Sequence, residues 1–359
     1  MIESLSKELT SGKYRPGDKF PSEAALVQQF QTSRITIGRA LRELTQQGLI
    51  ERRPGSGTYV RNELDSKPER VFGLLIPNLG ETEIFEPICH GMATAPEAKG
   101  HALLWGHAAE EGQSKPVQAL SLCSQFIHQK VSGVFFAPLE RDAEGDATNI
   151  EIVSQLERAR IPVILLDRCV MRYPERSHYD LVGIDNRRAG HVAAEHLLRL
   201  GVKRIAFVGY AKAAPTIEAR VAGFREALMR HGVEARGHSI HLVDAIEPST
   251  AHLFKRERID GYVCGNDRIA GELMHALLAA GVGIPDDARI VGIDDVEYAS
   301  LLPVPLSTVH QPCRAIGRAA MIAMVERIAD PGMLARDILL ETKLVIRSSC
   351  GARERDAKA

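Results

Sequence analysis

The 359-residue sequence lacks long hydrophobic runs, paired cysteines and a leader-like start. No apolar stretch approaches the roughly 18 residues that a membrane-spanning helix needs. The N-terminus has no basic region followed by an apolar stretch, so we expect a cytoplasmic protein that does not enter a membrane. The six cysteines are scattered, without a Cys-x-x-Cys pair or histidines at zinc-finger spacing, which predicts reduced thiols and no metal site.

Signatures of catalysis and of cofactor binding are missing as well. The sequence contains no P-loop, no Gly-x-Ser-x-Gly nucleophile turn and no dinucleotide-binding fingerprint. We therefore predict a protein that is not an enzyme and that needs no cofactor.

The composition is that of a globular protein with a local charge imbalance. Hydrophobic residues make up 45% and charged residues 25%, and 359 residues suffice for two or three domains. The net charge is −1, but residues 1–63 carry ten Lys and Arg against seven Asp and Glu, an excess of +3 that leaves −4 for the remainder. A basic head on an otherwise acidic chain favours nucleic acid as the partner of the first segment.

Three helices and a hairpin are predicted within residues 1–60. Ser22 and Ser33 stand where the N-caps of the second and third helices belong. Two β-prone runs flank the turn at 54–57, as in a hairpin. A hairpin that follows two helices joined by a tight turn predicts a small winged helix-turn-helix of the α+β class. Apolar residues recur at helical spacing in the three helices: Ile2, Leu5 and Leu9, then Ala25, Leu26 and Phe30, then Ile37, Ala40, Leu41 and Leu44.

From Val71 onward, short apolar strands alternate with amphipathic helices, which predicts an α/β fold with parallel sheets buried on both faces. Roughly ten strands exceed one small sheet, so we expect two lobes with a ligand cleft between them. The predicted boundaries are 1–63 for the winged domain, 64–70 for a linker, 71–350 for the two-lobed domain and 351–359 for a tail. Lobe 1 is expected to comprise about 71–181 and 312–330, and lobe 2 about 182–311 and 331–350.

The segment FPSEAALVQQFQTSRITIGRALRELTQQGLIERRPGSGTYV resembles the DNA-binding domain of the GntR family of winged-helix regulators, over about residues 2–61. The resemblance implies double-stranded operator DNA as the partner, with the recognition helix in the major groove and the wing tip in the minor groove. Arg34 is the first candidate for a bidentate guanine contact. Gly38 stands where the family usually has arginine, and relatives begin several residues earlier, which suggests a start codon upstream. The implied DNA contacts are Ser33, Arg34, Thr36, Arg39, Arg52, Arg53, Gly55, Ser56 and Gly57.

Residues 71 to about 350 resemble the effector domain of the LacI/GalR family and the periplasmic sugar-binding proteins that share its fold. The phrases LLDRCV, IDNRRAGHVAAEHLLRLGVKRIAFVG, EARVAGFREAL, CGNDRIAGELM and RIVGIDDVEYASLLPVPLSTVHQP carry the resemblance. Carboxylates, guanidinium groups, amides and an aromatic ring together suit the hydroxyls and the C–H face of a sugar. By the resemblance, the Asp167-Arg168 pair is typical of ribose-type pockets and favours a neutral pentose or hexose over a nucleobase or a phosphorylated sugar, although the arginines leave the phosphorylated sugar open. Asn266 and Asp294, taken singly, are equally well explained as helix caps. The implied effector contacts are Phe85, Asp167, Arg168, Arg220, Asn266, Asp294 and Gln311.

Together these features predict a transcription regulator, in the simplest case a repressor that releases its operator when a sugar closes the cleft. Closure is expected to act through crossovers near residues 181, 311 and 330, and to reset the spacing of two heads in a homodimer on a palindromic operator. Two alternatives stay open. One is a sugar-metabolising α/β enzyme with an accessory DNA-binding head, in which Asp167, Asp294 or a histidine would act as acid and base. The other is an activator, or a regulator that senses a nucleoside or another non-sugar ligand.

Overall fold

The computed structural model divides the chain into two compact units, Met1–Glu69 and Arg70–Ala359. It describes residues 5, 8–9, 13–14, 17–46, 49–53, 55–60, 68–77, 83–106, 114–140, 143–211, 214–233 and 239–352. Most of the predicted first helix, of the predicted linker and of the predicted tail therefore lies outside the described residues. Within the described ranges no helix is long and apolar enough to cross a membrane.

The described part of the first unit contains the predicted second and third helices followed by the predicted hairpin. Its described elements are β1 (Lys19–Phe20), α1 (Glu23–Phe30), α2 (Arg34–Gln46), β2 (Ile50–Arg53) and β3 (Gly57–Val60), and the strands form an antiparallel sheet in the order β1-β3-β2. Both predicted N-caps are confirmed, because Ser22 Oγ accepts a hydrogen bond from the Ala25 N–H at 3.2 Å and Ser33 Oγ accepts one from the Thr36 N–H at 3.2 Å. The apolar sides of these elements meet in one core, which contains Leu5, Phe20, Leu26, Ile37, Leu41, Leu44, Ile50 and Val60.

In its described residues, the second unit alternates strands and helices over most of its length. Its helices are α3 (Phe85–Ala93), α4 (Lys115–His128), α5 (Ala143–Arg158), α6 (Asn186–Arg199), α7 (Pro215–Arg230), α8 (Pro248–Glu257), α9 (Asp267–Ala279) and α10 (Cys313–Ala329). Its strands are β4 (Arg70–Leu75), β5 (His101–Trp105), β6 (Gly133–Phe136), β7 (Val163–Leu166), β8 (Asp180–Ile184), β9 (Ile205–Tyr210), β10 (Ile240–Val243), β11 (Gly261–Cys264), β12 (Arg289–Asp294), β13 (Ser307–His310), β14 (Asp337–Leu340) and β15 (Lys343–Val345).

These strands form two sheets, one in each lobe, which confirms the predicted two-lobed α/β fold. In the described part of the chain, the lobe 1 sheet has the order β14-β8-β7-β6-β4-β5 and the lobe 2 sheet has the order β10-β9-β11-β12-β13-β15. Neighbouring strands run parallel except β15, which pairs antiparallel with β13. Parallel strands place their carboxyl ends at one edge of a sheet, and polar ligands bind at that edge in folds of this kind.

Within the described residues the chain passes between the lobes three times, and two of the crossovers lie later in the chain than predicted. All of β8 belongs to the lobe 1 sheet, so residues 182–184 lie in lobe 1 and the first crossover lies at Asp185. The second lies at Gln311–Pro312, as predicted. The third lies at Glu341–Thr342 rather than near residue 330, because β14 pairs with β8 of lobe 1 before the chain enters β15 of lobe 2.

A buried carboxylate explains the position of the third crossover. Asp180, the first residue of β8, has 0% exposure and accepts hydrogen bonds from the Arg327 guanidinium at 2.9 and 3.0 Å and from the Arg336 N–H at 2.8 Å. These bonds hold the chain that follows α10 against lobe 1, where β14 then adds to the sheet edge. In the sequence, the apolar residues of β14 are only Ile338, Leu339 and Leu340, a run shorter than the roughly four to eight residues from which a buried strand is predicted.

Two glycines bring α6 and α7 close together and thereby place Arg220. A Cβ atom at Gly190 would lie 2.0 Å from the carbonyl oxygen of Arg220, and one at Gly223 would lie 1.8 Å from the carbonyl oxygen of Arg187. A residue without a side chain is needed for such a close approach of two backbones. The contact fixes α7 with Arg220 at the carboxyl edge of the lobe 2 sheet.

Candidate functional sites

The first turn of α2 is the exposed, polar end of the predicted recognition helix. Ser33 Oγ caps this helix and lies 2.8 Å from Thr36 Oγ1, and both residues are exposed. Arg34, the first residue of α2, has 84% of its side chain exposed, and Arg39 is exposed further along the helix. Free N–H groups and polar side chains at a helix N-terminus suit contacts with phosphates and base edges.

An acidic residue that the sequence analysis did not single out links the recognition helix to the wing. Glu23, the first residue of α1, accepts a hydrogen bond from Arg34 Nε at 3.4 Å and another from Arg52 Nη2. The side chain of Glu23 is 25% exposed, against 84% and 62% for those of the two arginines. Exposed ion pairs contribute less than about 1 kcal/mol, so Glu23 orients both guanidinium groups without holding them tightly. In the sequence it is indistinguishable from an acid that merely favours a helix N-terminus.

The wing tip is shaped by two glycines and by Tyr59. Gly55 and Gly57 have φ angles of +74° and +126°, where any residue with a side chain is strained. Ser56 Oγ lies 2.7 Å from the Tyr59 hydroxyl oxygen, and the Arg53 guanidinium lies 4.7 Å from the centre of the Tyr59 ring. A small exposed tip with arginines beside it suits insertion into a minor groove between phosphates. A groove of about 480 Å³ runs along this surface and is lined by Lys19, Phe20, Ser22, Glu23, Arg52, Arg53, Gly55, Gly57 and Thr58.

No packing contact of the described residues requires a glycine at position 38, in the interior of α2. A Cβ atom there would meet no atom of the described residues within 4 Å, and its φ angle is not positive. We therefore expect Gly38→Ala to raise the free energy of unfolding of the first unit by about 0.5–1 kcal/mol, measured by thermal denaturation followed by circular dichroism. The matched control is Gly55→Ala, which should lower stability because its φ angle is +74°. A less stable Gly38→Ala protein would contradict this account of α2.

The residues predicted to bind the effector lie at the carboxyl edges of both sheets. The topology thus brings together side chains that are far apart in the sequence. None of the described residues forms a group of three His, Cys, Asp or Glu that could hold a metal ion. The predicted contacts are Phe85 at the start of α3, Asp167 and Arg168 directly after β7, Arg220 on α7, Asn266 after β11, Asp294 at the end of β12 and Gln311 directly after β13.

Arg220 is the centre of the lobe 2 part of this cleft. The residue is 3% exposed, and its guanidinium donates through Nε to Asn186 Oδ1 at 2.8 Å, through Nη1 to the Gly265 carbonyl at 2.5 Å and through Nη2 to Asp294 Oδ1 at 3.2 Å. The rigid planar fork therefore fixes Asp294 relative to the first residue of α6. Asn186 was missed by the sequence analysis, although it follows β8 as the predicted contacts follow their strands.

Between the lobes lie buried polar atoms that lack a hydrogen-bond partner. Gln311 is 1% exposed, yet neither Oε1 nor Nε2 bonds to any described residue. Asp167 Oδ1 and Arg168 Nε are likewise buried without a hydrogen bond in the described part of the chain, although Arg168 Nε lies 3.7 Å from Asp167 Oδ2. The Arg168 guanidinium lies 5.9 Å from the centre of the Phe85 ring. Each buried polar group that lacks a hydrogen bond costs about 1–3 kcal/mol. This arrangement therefore indicates a binding site for a polar ligand that both donates and accepts hydrogen bonds.

Asn266 has the capping role that the sequence analysis weighed against ligand binding. Its Oδ1 accepts a hydrogen bond from the Ile269 N–H at 2.9 Å, which satisfies the N-terminus of α9. The next residue, Asp267, is 0% exposed and accepts from Thr308 Oγ1 at 2.6 Å and from the Val296 N–H at 3.0 Å. Asp267 thus supports the strand ends behind the cleft, and burial raises its pKa to about 6.

The carboxyl group of Asp294 binds its proton more tightly than an exposed carboxyl group does. Burial is the main reason that the pKa of Asp294 is raised to about 7; the Arg220 guanidinium opposes this effect, and the charges of Asp267 and Asp167 act in the same direction as burial. A raised pKa in the folded state means that the neutral form stabilises the fold. This contribution is complete below the ordinary pKa of about 3.9 and is lost as the pH rises through about 7.

We therefore expect Asp294→Asn to flatten the pH dependence of stability. In the wild type, the contribution of Asp294 should make the free energy of unfolding fall between about pH 5 and about pH 8. Urea denaturation of both proteins at the two pH values measures the difference. Asp286→Asn is the control, because Asp286 is exposed in the same lobe and should leave the dependence unchanged. Equal slopes for Asp294→Asn and the wild type would contradict the assignment.

A contact that the sequence analysis missed joins the two lobes. The Tyr298 hydroxyl, in the 3₁₀ turn Glu297–Ser300 of lobe 2, donates a hydrogen bond to Glu83 Oε1 of lobe 1 at 3.2 Å. Burial, together with the charge of Glu83, raises the pKa of Tyr298, so its hydroxyl remains a donor. The lobes therefore meet through a polar contact just before α3, the helix that begins with Phe85.

Two family models match the chain. Residues 1–60 match the bacterial regulatory proteins of the gntR family, and residues 194–350 match the periplasmic binding protein-like domain. The first match covers the described helices and wing of the first unit, and the second covers most of lobe 2 together with α10.

Curated relatives and solved structures extend the likeness to most of the chain. An arabinose metabolism transcriptional repressor from Geobacillus stearothermophilus is 29% identical over 356 residues, which cover 95% of this chain and 94% of the relative. A ribose operon repressor from Halalkalibacterium halodurans is 25% identical, covering 84% of this chain and 85% of its own length.

The structure of the transcriptional regulator CelR with cellobiose aligns with a TM-score of 0.66 at 23% identity, covering 89% of this chain and 92% of that one. A LacI family regulator from Enterococcus faecium with bound ribose aligns with a TM-score of 0.62 at 22% identity, covering 78% of this chain and 98% of that one. At these identities the structural likeness shows the fold alone.

Proposed function

We propose that this chain, which joins a GntR-family DNA-binding domain to a periplasmic-binding-protein-like effector domain, is a transcriptional repressor that releases its operator when a small neutral sugar binds. One observation carries the proposal. The cleft between the lobes buries Gln311 and Asp167 with polar atoms that no described residue satisfies. Such atoms need a polar ligand as hydrogen-bond partner. The first unit of the same chain exposes arginines of the kind that DNA binding requires.

The charges of the cleft favour an uncharged ligand. Asp167 lies 3.7 Å from the guanidinium of Arg168, and Asp294 lies 3.2 Å from that of Arg220, so each buried arginine already has a carboxylate partner. A phosphate would need a surplus of positive charge, whereas sugar hydroxyls donate to carboxylates and accept from guanidinium groups. The names of the relatives support this choice, since they include repressors of arabinose metabolism and of a ribose operon.

Regulation follows from movement of one lobe against the other. A ligand that binds both Asp167 of lobe 1 and Asp294 of lobe 2 favours the closed arrangement of the lobes, because only that arrangement makes both contacts. We propose a homodimer in which this movement, through the three crossovers, changes the distance between two DNA-binding heads. A palindromic operator in the cytoplasm presents its half-sites at a fixed spacing, so the change weakens binding. No catalysis is part of this proposal.

Operator release tests the function directly. The full chain is titrated against a fluorescent duplex from the region upstream of its own gene, and anisotropy is measured with and without D-ribose, L-arabinose, D-xylose or adenosine. We expect one of the sugars to raise the apparent Kd for DNA at least tenfold. Recovery of chemically altered sugar from the mixture would favour the enzyme instead, and release by adenosine alone would favour a nucleoside sensor. Specific binding that no compound weakens would contradict the effector role.

A further inference from the structure

Two consecutive residues at the carboxyl edge of the lobe 2 sheet have a backbone conformation that side chains disfavour. Asp294, the last residue of β12, has a φ angle of +129°, and Asp295 has one of +59°. Residues other than glycine keep such angles where surrounding contacts hold them, and they concentrate at functional sites. Asp294 is predicted to bind the effector, and Arg220 fixes the tip of its side chain. The backbone that carries this carboxylate is held by a different set of contacts.

The side chain of Asp295 ties the ends of β12 and β13 to the segment that follows β15. Its Oδ1 accepts a hydrogen bond from Arg347 Nη2 at 2.6 Å, and its Oδ2 accepts one from His310 Nδ1 at 2.9 Å. His310 is the last residue of β13 and pairs in register with Asp294. The Asp295 N–H donates to Thr308 Oγ1, also of β13, at 3.3 Å. Both carboxylate oxygens and the amide of Asp295 thus have partners within lobe 2.

This Asp295 cluster, which consists of Asp295, His310 and Arg347, borders the second and third crossovers. His310 directly precedes Gln311, where the chain leaves lobe 2, and Arg347 belongs to the segment that returns to lobe 2. Arg347 also donates through Nη1 to the Leu306 carbonyl at 2.8 Å. The side chains of Asp295 and Arg347 are only 16% and 22% exposed, so their bond is shielded from water and is stronger than an exposed ion pair.

We propose that the three residues of the Asp295 cluster are positioning residues of the effector site, which act through Asp294 by fixing the backbone that carries its carboxylate. This inference rests on the function proposed above. Arg220 orients the carboxylate at its tip, whereas the cluster orients the end of β12 from which the side chain projects. An acceptor that is already fixed loses little conformational freedom when a sugar hydroxyl donates to it, so the cluster increases the affinity for sugar.

Substitutions within the cluster separate positioning from stability. Kd for D-ribose, L-arabinose and D-xylose is measured by calorimetry on the full chain, and the melting temperature is measured without sugar. We expect Arg347→Met to raise the Kd of the sugar that binds by about tenfold or more, as the loss of one hydrogen bond between charged groups does. Arg347→Lys keeps a cation that can donate to Asp295, so its Kd should lie within about threefold of the wild-type value. Asp295→Asn keeps the side-chain shape and tolerates a positive φ angle, but it should also raise Kd because the negative charge is lost.

Arg289→Met is the matched control. Arg289 is a partly buried arginine at the opposite end of β12 and donates to the Leu200 carbonyl, so its loss should lower the melting temperature and leave Kd unchanged. A Kd of Arg347→Met that equals the wild-type value, or that rises no more than that of Arg289→Met, reduces the cluster to a structural role and overturns the inference. Binding by Arg347→Lys that is as weak as binding by Arg347→Met overturns it too. In these cases the wild type still binds sugar and the proposed function stands. If none of the three sugars binds the wild type, the sugar-responsive function fails and this inference fails with it.

Discussion

Arg220→Ala is expected to abolish the response to sugar and to lower the free energy of unfolding of the second unit by about 3–5 kcal/mol. The reason is that one guanidinium serves three buried partners, namely Asn186, the Gly265 carbonyl and Asp294. Removing it leaves Asp294, Asn186 Oδ1 and the Gly265 carbonyl without their donor in a place that water reaches poorly. Urea denaturation measures the loss of stability, and operator anisotropy with and without sugar measures the loss of response.

Two further variants keep this prediction decisive even if Arg220→Ala folds poorly. Arg187→Ala removes a guanidinium from the neighbouring helix α6 whose side chain is 60% exposed and pairs with Glu226, so stability should change by less than about 0.5 kcal/mol and the response should persist. Asp294→Asn preserves side-chain volume and should fold, yet it should lose the response because the site loses an acceptor for a sugar hydroxyl. Release of DNA by Asp294→Asn at the wild-type sugar concentration would place the effector site elsewhere.

The strand ends that build the cleft could be predicted from the sequence because they follow conspicuous apolar runs. Val163–Leu166 is an unbroken buried strand, and Asp167 comes directly after it. Buried parallel strands need such apolar runs, and the polar residues that directly follow the strands meet at the carboxyl edge of the sheet. Local sequence patterns were therefore enough to predict much of the site. Asn186 also follows a strand, β8, but Asp185 stands between them, and the sequence analysis did not single Asn186 out.

Other features depend on contacts between distant segments and leave no local pattern. β14 alternates exposed and half-buried residues at a sheet edge, and its place in lobe 1 depends on bonds from Arg336 and Arg327 to Asp180. Glu23 gains its role only because the fold brings Arg34 of α2 and Arg52 of the wing to the same carboxylate. Periodicity detects which face of an element is buried, but not which surface side chains meet.

Arg34→Ala should weaken operator binding by about 1–3 kcal/mol, which is roughly fivefold to 150-fold in Kd, while sugar affinity stays unchanged. The side chain is 84% exposed at the N-terminus of α2, where a planar fork can pair with two acceptors of one guanine. Because so little of the side chain is buried, its removal should not lower the melting temperature of the first unit. Fluorescence anisotropy gives the Kd for the operator and for a scrambled duplex. A loss of affinity for the operator alone indicates lost base recognition, whereas an equal loss on both duplexes indicates only the lost positive charge.

Arg42→Ala is the matched comparison, since Arg42 is an exposed arginine of the same helix that lies two turns beyond its first residue. Both variants lose one positive charge, so they should weaken binding to the scrambled duplex equally, and only Arg34→Ala should also lose the preference for the operator. In the free protein Arg34 donates to Glu23, so DNA has to draw it away from a weak, exposed pair. A base contact that replaces this bond gains more than a phosphate contact elsewhere on the helix. If the two variants lose the same affinity on both duplexes, Arg34 contributes only charge, and the base-reading residue lies elsewhere on α2 or the wing.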